Sequence, residues 1–171
     1  MNLLTKESLL RRVLAAGLLV GTASCTRQVQ KTAEKTDRPA IYDTKADGEK
    51  QIEEALEVAK KENKRVLVKF GANWCVWCHR LHGVFKKDRA VAAALNQHYV
   101  LVLIDVDTVD GQKHNEKVDA KYGTPTERGL PVLVVVDADG KQLTTQPTDA
   151  FEVGDHHDPQ KVLAFLKQWG A

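Results

Sequence analysis

The stretch "GANWCVWCHRLH", residues 71–82, concentrates the reactive side chains of this sequence. It holds two of the three cysteines, two of the three tryptophans and two of the six histidines. Two cysteines separated by two residues are compatible with three chemistries: a dithiol that switches to a disulfide, a pair of thioethers that hold a haem, or a zinc site with thiolate and imidazole ligands. The sequence around this stretch has to decide between them.

The composition is that of a globular protein with one domain. The chain has 171 residues, of which 43% are hydrophobic, enough for a single hydrophobic core. Its formal net charge of +2 results from interspersed Lys, Arg, Asp and Glu, without the basic excess that a nucleic-acid surface needs. We therefore expect no nucleic-acid partner.

The N-terminal segment has the pattern of a secretory signal. Three basic residues precede the uncharged run "VLAAGLLVGTAS", residues 13–24, which is too short to span a bilayer comfortably and ends in small residues. The sequence Ala23-Ser24-Cys25 resembles the lipobox of bacterial lipoproteins, which implies that Cys25 is acylated and becomes the mature N-terminus. The alternative is a plain signal that is cleaved near Ala23 or Ser24.

The chain divides into three parts on this basis. We assign residues 1–24 to a lipoprotein-type signal, residues 25–46 to a flexible polar tether and residues 47–171 to the folded domain, with ordered structure expected to begin near Ile41. A lipid on Cys25 would leave two free cysteines in an exported, oxidising compartment. We expect a periplasmic protein that is lipid-anchored to a bacterial membrane.

Hydrophobic periodicity predicts an alternation of helices and strands. The predicted elements are a helix over 48–63, a strand over 65–70, helices over 76–87 and 88–97, a strand over 99–107, a helix over 111–123, a hairpin over 131–146 that turns at Asp139-Gly140, and a helix from Asp158-Pro159 to Trp169. This order implies an α/β sandwich. Its central sheet should be parallel in the first strands and antiparallel at the hairpin edge.

A strand followed by Trp-Cys-X-X-Cys at the start of a helix, with the later run "YGTPTERGLPVLVVVDADGK", resembles exported bacterial members of the thioredoxin family over residues 47–169. The resemblance implies a thioredoxin fold and a thiol–disulfide oxidoreductase that acts on protein disulfides. No cofactor is implied, because the two sulfurs carry both electrons. Protein thiol or disulfide clients and a redox partner protein are implied, and we favour reduction over oxidation and a monomer.

The two cysteines should divide the reaction between them. Cys75 lies at the predicted N-cap of a helix, where free N–H groups and the positive end of the helix dipole stabilise a thiolate, so it is the candidate nucleophile. Cys78 lies one turn further on, within disulfide reach but covered, and is the candidate resolving thiol. Trp74, Val76 and Trp77 surround the sulfurs with apolar surface on which a substrate could lie.

Three more residues complete the candidate site. The resemblance implies that the Leu130-Pro131 bond is cis and faces the dithiol, with the Leu130 backbone pairing to substrate. From composition alone, a trans proline at the start of a strand is the ordinary expectation. His79 follows the second cysteine directly and is a candidate for tuning the pKa values of the thiols.

Lys69 departs from the family, because thioredoxin carries a buried carboxylate six residues before its first cysteine. Three outcomes are open for this lysine. Its stem could extend until the ammonium reaches water, without effect on the chemistry. A charged ammonium near the sulfurs would lower the thiol pKa values, whereas a fully desolvated neutral amine could accept the Cys78 proton.

The haem alternative is carried by "CVWCH", residues 75–79, which fits the Cys-X-X-Cys-His attachment pattern. Against it, the pattern lies at a strand-to-helix junction, and the sole methionine is Met1, inside the signal. No methionine would then remain as a second axial ligand.

Two further alternatives are weaker. A zinc site could use Cys75 and Cys78 with His79 or His82, but the spacing of His114, His156 and His157 offers no recognisable second ligand pair, so we assign no metal. A redox-silent binding domain could keep the disulfide for stability alone. A bridge between two such close cysteines closes too small a loop to stabilise the fold much.

Overall fold

The computed structural model describes residues 38–171. The predicted signal, Cys25 and the tether as far as residue 37 lie outside the described residues. The helices are Gly48–Glu62 (α1), Val76–Lys87 (α2), Arg89–His98 (α3), Glu116–Lys121 (α4) and Pro159–Gln168 (α5), with 3₁₀ turns at Pro125–Arg128 and Thr148–Phe151. The strands are Arg65–Gly71 (β1), Tyr99–Asp105 (β2), Thr108–Val109 (β3), Gln112–Lys113 (β4), Val132–Val136 (β5), Gln142–Pro147 (β6), Glu152–Val153 (β7) and His156–His157 (β8).

Aspartate side chains cap three of the helices. Asp47 accepts hydrogen bonds from the first backbone amides of α1, and Asp88 and Asp158 do the same for α3 and α5. Each carboxylate satisfies N–H groups that have no partner within the helix and lies at the positive end of the helix dipole. The three predicted helix starts near these residues are confirmed.

The central sheet has the strand order β2-β1-β5-β6. Strand β1 pairs with β2 in parallel and with β5 antiparallel, and β5 and β6 form the expected antiparallel hairpin. The predicted mixed sheet flanked by helices is therefore confirmed. The pairing places Asp105, at the end of β2, directly beside Gly71 at the end of β1.

Strands β1 and β5 are buried on both faces. Alternate residues of β1 point to opposite sides of the sheet, so that Val66, Val68 and Phe70 pack against α1. Leu67 faces the other side and packs in a second core with α2, α3 and α5. Lys69 has the same parity as Leu67, so a charged residue type occupies the middle of a strand with no solvent-facing side.

The segment between β2 and α4 differs from the prediction. Strand β2 ends at Asp105 rather than 107, and the predicted helix over 111–123 is replaced by the short hairpin β3–β4 followed by α4. The cause is the Asp110-Gly111 turn, in which both residues have positive φ, the backbone that a tight two-residue hairpin requires. The Asp-Gly signal is present in the sequence, but the predicted helix follows the polar helical pattern and not this signal.

A second short hairpin, β7–β8, was not predicted. It turns at Gly154, which has a φ of 60°, and its strands are only two residues each, too short for an alternating pattern. The hairpin lies between β6 and α5 and contacts α2. It therefore forms part of the surroundings of the Cys-X-X-Cys helix.

The end of the predicted tether is part of the domain. The backbone amides of Ile41 and Tyr42 both donate to Asn73 Oδ1 at 2.9 Å, and Asn73 Nδ2 donates to the Tyr42 carbonyl at 3.0 Å. The Tyr42 side chain is buried against the two cysteines. Contacts with the rest of the fold thus begin near Ile41, ahead of the predicted domain boundary at residue 47.

Candidate active site

The loop that follows β1 brings the first cysteine to the start of α2. Cys75 occupies the N-cap with extended backbone, and its amide donates to the Ala72 carbonyl at 3.1 Å. The Cys75 sulfur accepts a hydrogen bond from the Cys78 amide at 3.1 Å. The predicted position of Cys75, where helix N–H groups stabilise negative charge on sulfur, is what the structure shows.

Cys75 and Cys78 form a disulfide, with their Cα atoms 5.2 Å apart. Cys75 keeps 5% of its surface exposed, whereas Cys78 has none. The order of accessibility agrees with the predicted roles, although Cys75 is far less exposed in the disulfide than a free nucleophile should be. Of the two cysteines, only Cys75 has any exposed surface.

The cis Leu130-Pro131 bond lies opposite the disulfide. The Leu130 carbonyl oxygen is 3.6 Å from the Cys75 sulfur, so the resemblance-based expectation of a cis proline facing the cysteines agrees with the structure. The buried Thr148 hydroxyl donates to the Pro131 carbonyl at 2.7 Å and holds this loop in place. Nothing in the sequence pattern pointed to Thr148, which is far from Pro131 in the chain.

The three predicted surface residues take different positions. Trp74 is 53% exposed, and its indole N–H donates to Asp107 Oδ1 at 2.7 Å. Val76 is 41% exposed. Trp77 is half-buried and packs against the cluster of Tyr42 and the two cysteines. Trp74 and Val76 therefore present apolar surface next to the disulfide, while Trp77 mainly supports it.

Lys69 is completely buried and lies beneath the disulfide. Its Nζ donates to the Cys78 carbonyl oxygen at 2.9 Å and lies 5.0 Å from the centre of the Tyr42 ring. Burial lowers the pKa of Lys69 from 10.5 to about 7. The ammonium does not reach water, so the first of the three outcomes considered for this lysine is wrong.

Tyr42 was missed by the sequence interpretation and lies at the centre of the site. A Cβ at Gly71 would run into the Tyr42 hydroxyl and would lie 2.7 Å from the Cys78 sulfur, so these three groups meet at one point. The hydroxyl has no hydrogen-bond partner among residues 38–171. Burial raises the pKa of Tyr42 far above its ordinary value, and the negative charge of Asp105 raises it further.

Asp105 is a second buried polar group that the sequence did not single out. It is 2% exposed, and one carboxylate oxygen lies 3.0 Å from Nδ1 of His114. Burial raises the pKa of Asp105, and the hydrogen bond and charge of His114 oppose that rise. A buried carboxylate is thus present at the end of β2, beside Gly71, although the β1 position where the family carries one is a lysine.

The histidines of the motif do not face the sulfurs as ligands. His79 Nε2 lies 2.7 Å from the Asn73 carbonyl oxygen and so supports the loop before Cys75. Burial lowers the pKa of His82 to about 4, with help from the charges of Lys69, Lys86 and His79. Within residues 38–171, no three His, Cys, Asp or Glu side chains converge to form a metal site.

Comparison with known proteins places this geometry in a family. The sequence model described as thioredoxin-like matches residues 47–138. The chain belongs to the thioredoxin-like family. The expected family and the expected fold are both confirmed.

Three relatives show how far the similarity extends. The disulfide bond reductase DsbH of Chlamydia pneumoniae is 30% identical over 96 residues, which cover 53% of this chain and 56% of DsbH. The thiol:disulfide interchange protein DsbD of Colwellia psychrerythraea is 32% identical over 101 residues, covering 59% of this chain and 16% of DsbD. The crystal structure of a disulphide isomerase from Xylella fastidiosa Temecula1 has a TM-score of 0.65 and 31% identity, covering 76% of this chain and 96% of that one.

This chain therefore matches about half the length of DsbH and a small part of DsbD. The solved isomerase, in contrast, is matched over nearly all of its length.

Replacing Lys69 with Met should stabilise the protein at neutral pH. The unfolded chain keeps the Lys69 proton up to about pH 10.5, whereas the native protein releases it above about pH 7. The unfolded state binds more protons in this window, so wild-type stability rises with pH across it, by a total on the order of 5 kcal/mol. In Lys69→Met this rise should disappear, which urea unfolding of the disulfide form at several pH values in the window would measure.

The matched control is Lys61→Met, which removes an exposed lysine from α1. Its stability should follow the wild-type pH profile. Parallel profiles for Lys69→Met and wild type would show that Lys69 keeps its ordinary pKa in the folded protein.

Proposed function

We propose that this protein is a thiol–disulfide oxidoreductase that reduces disulfides of client proteins through Cys75 and Cys78. One observation carries the proposal: Cys75, which is slightly exposed, lies at the start of α2 with its sulfur beside the Leu130 carbonyl, and Cys78 is fully buried. This arrangement has one accessible sulfur that can attack and one covered sulfur that can resolve. A disulfide kept for stability alone needs neither the N-cap position nor the facing proline loop.

The reaction transfers two electrons from the reduced dithiol to the client. The Cys75 thiolate attacks one sulfur of a client disulfide, a mixed disulfide forms, and the other client sulfur leaves as a thiolate that takes a proton from water. Cys78 loses its proton and attacks the Cys75 sulfur, which breaks the mixed disulfide and releases the second client thiolate. The Cys75–Cys78 disulfide remains, and a dithiol partner protein must reduce it again.

Client chains would lie on the apolar surface beside Cys75. Trp74 and Val76 provide exposed area, and Trp77 supports them from below. The Leu130 carbonyl, which is directed toward Cys75, can accept a hydrogen bond from an extended client backbone. The Pro131 carbonyl is occupied by Thr148, so backbone pairing is assigned to Leu130.

Lys69 is assigned to the second step as a proton acceptor for Cys78. Because the pKa of Lys69 is about 7, its amine is neutral in a substantial fraction of the molecules at neutral pH and can take a proton. Its Nζ is already held at the Cys78 main chain, 2.9 Å from the carbonyl oxygen. His79 is assigned a positioning role, because its ring contacts the Asn73 carbonyl of the loop that leads to Cys75.

The lifetime of the mixed disulfide should separate the roles of these residues. With a disulfide-containing client, Cys78→Ser should accumulate a persistent mixed disulfide and Cys75→Ser should form very little. Lys69→Met should form it at the wild-type rate but resolve it about tenfold or more slowly, as expected when a general base is lost. Rapid acid quenching and non-reducing electrophoresis would follow the species over time.

Lys61→Met again provides the control and should resolve the complex like wild type.

Alkylation of the reduced protein at mildly acidic pH should label Cys75 before Cys78. First labelling of Cys78 would reverse the assignment of the two sulfurs. The absence of mixed disulfides with every variant would favour a redox-silent binding domain.

The direction of electron flow is expected to be reductive, as in the relative DsbH, which is named a disulfide bond reductase. The reduction potential of the Cys75–Cys78 couple, measured by equilibration with glutathione buffers, tests this direction. A reductase should have a reduction potential close to that of thioredoxin, about −270 mV, whereas the potential of a strong oxidant is about −120 mV. A potential close to the second value would assign the protein to disulfide formation.

The compartment is proposed to be the periplasm, with a lipid on Cys25 as the membrane anchor. Support comes from the signal-like sequence over 1–24 and the small residues that precede Cys25. Among residues 38–171, no helix is long and apolar enough to cross a bilayer.

The mass of the mature protein tests the anchor. Acylation should add the mass of lipid chains to a chain that begins at Cys25 and should place the protein in the membrane fraction. Cys25→Ala should block this processing. A mature chain that begins near residue 25 without added mass would mean plain secretion.

A further inference from the structure

A groove of about 690 Å³ begins beside the nucleophile and runs along the outer side of α2. One wall is the side of α2 that carries Val76, Arg80, Val84 and Lys87, and the other is formed by the β7–β8 hairpin and the start of α5. We call it the α2 groove. Because Val76 follows Cys75 directly, a chain whose sulfur reacts with Cys75 can continue into the groove without a break.

The charges around the groove are mainly positive. Arg38, Arg80 and Lys87 line it, and Asp88 is the acidic residue among the lining side chains. The Asp88 carboxylate is already bound, since it accepts hydrogen bonds from the amides of Ala90 and Val91 at 3.0 and 2.9 Å. The carboxylate is held at the N-cap of α3, where the positive end of the helix dipole opposes part of its charge.

Two of these cations have no strong partner. Arg80 lies flat against the Trp77 ring at 4.5 Å, and its distance to Asp155 is 4.0 Å, the limit of an ion pair, with an aspartate that is nearly fully exposed. Lys87 forms no ion pair within the described residues. Exposed pairs such as Arg80–Asp155 contribute little, so a ligand carboxylate can replace Asp155 at small cost.

The buried His157 is in the same positive environment. Its pKa is lowered to about 4 by burial and then by the charges of Lys69, Arg80 and His156. The imidazole is therefore neutral and packs edge-on against Trp77, with ring centres 5.2 Å apart. Val76, Val84 and Pro159 add apolar surface between the basic side chains of the groove, a combination that favours an extended segment with negative side chains.

From these observations we infer that the α2 groove binds an extended, acidic segment of the client next to its reactive cysteine. This inference rests on the proposed function and specifies its substrate class. Along α2, at about 1.5 Å per residue, Arg80 lies roughly 8 Å and Lys87 roughly 18 Å from Cys75. An extended client covers about 3.3 Å per residue, so its acidic side chains belong about two and about five residues from the cysteine.

Matched peptides test this preference. Each peptide carries one cysteine as a mixed disulfide with thionitrobenzoate. Glu, Gln or Lys occupies the positions about two and about five residues from this cysteine. One set of peptides has these positions before the cysteine, and a second set has them after it. Attack of Cys75 on the peptide sulfur releases the coloured thiolate. The fully reduced wild-type protein, in a single turnover, should show a roughly three- to tenfold higher second-order rate constant for the Glu peptide than for the Lys peptide on one side of the cysteine, as expected for two exposed ion pairs.

The variant is Lys87→Glu, and the matched control is Lys86→Glu, the neighbouring exposed lysine that does not line the groove. Both change the net charge equally. Lys87→Glu should abolish or reverse the preference for the Glu peptide, and Lys86→Glu should retain it. Each rate is divided by the rate with the neutral hydroxyethyl disulfide, so that changes in the dithiol itself cancel. Added salt should reduce the wild-type preference.

A binding measurement separates this inference from the proposed function. Labelled Glu, Gln and Lys peptides with Ser in place of Cys are titrated with the protein, and fluorescence anisotropy reports binding without any thiol chemistry. Tighter binding of the Glu peptide, weakened by Lys87→Glu alone, would support the groove even if no disulfide were reduced.

Three results would overturn the inference. Equal affinities and rates for the Glu, Gln and Lys peptides would show that the groove does not select charge. Equal losses in Lys86→Glu and Lys87→Glu would assign the effect to net charge. A wild-type dimer that Lys87→Glu dissociates would show that a second copy of the chain, rather than a client, fills the groove.

Discussion

At Gly71 three parts of the chain meet in a space that cannot hold one more carbon atom. The end of β1, the hydroxyl of Tyr42 and the sulfur of Cys78 converge there, and a methyl group at residue 71 would overlap both neighbours. This close contact keeps Cys78 covered and brings the segment before α1 onto the back of the disulfide. The difference in access between the two sulfurs, on which the proposed reaction depends, follows from it.

The same tight packing explains the unusual chemistry of Lys69. Strand β1 is covered on both faces, so a lysine in its middle has no path to water and is held by the Cys78 carbonyl and the face of the Tyr42 ring. An amine in such a place loses most of its preference for the charged form. The protein therefore has a basic group with a pKa near neutrality beneath its resolving cysteine, and the buried carboxylate, Asp105, lies on the adjacent strand.

The residues around α2 form two surfaces with different proposed roles. Trp74, Val76 and the Leu130 carbonyl are next to Cys75 and would contact the reacting part of a client. The β7–β8 hairpin and the outer side of α2 enclose a groove whose basic side chains lie further from the sulfur. We thus assign the chemistry to the cysteines and Lys69 and the selection of clients to the basic side chains of the groove, which can be varied separately.

Much of the fold could be predicted because the sequence signals that specify its elements each lie within a few neighbouring residues. The caps at Asp47, Asp88 and Asp158, the buried strands and the Asp-Gly hairpin each depend on a few consecutive residues, and they specify an alternating α/β order that permits few topologies. The helix N-cap position of Cys75 follows from the same kind of signal. Where two local signals competed, as at Asp110-Gly111, the turn prevailed because both residues adopt positive φ.

Tertiary structure alone decided the environment of the site. Tyr42 and Thr148 act on the cysteines and on the proline loop from distant positions in the chain, and no spacing rule links them to the motif. The sequence by itself determined the fold class, the redox pair and the unusual lysine. Whether that lysine is charged was decided only by the packing of two cores on both faces of β1, because the pKa of an amine depends on how much water the folded chain leaves around it.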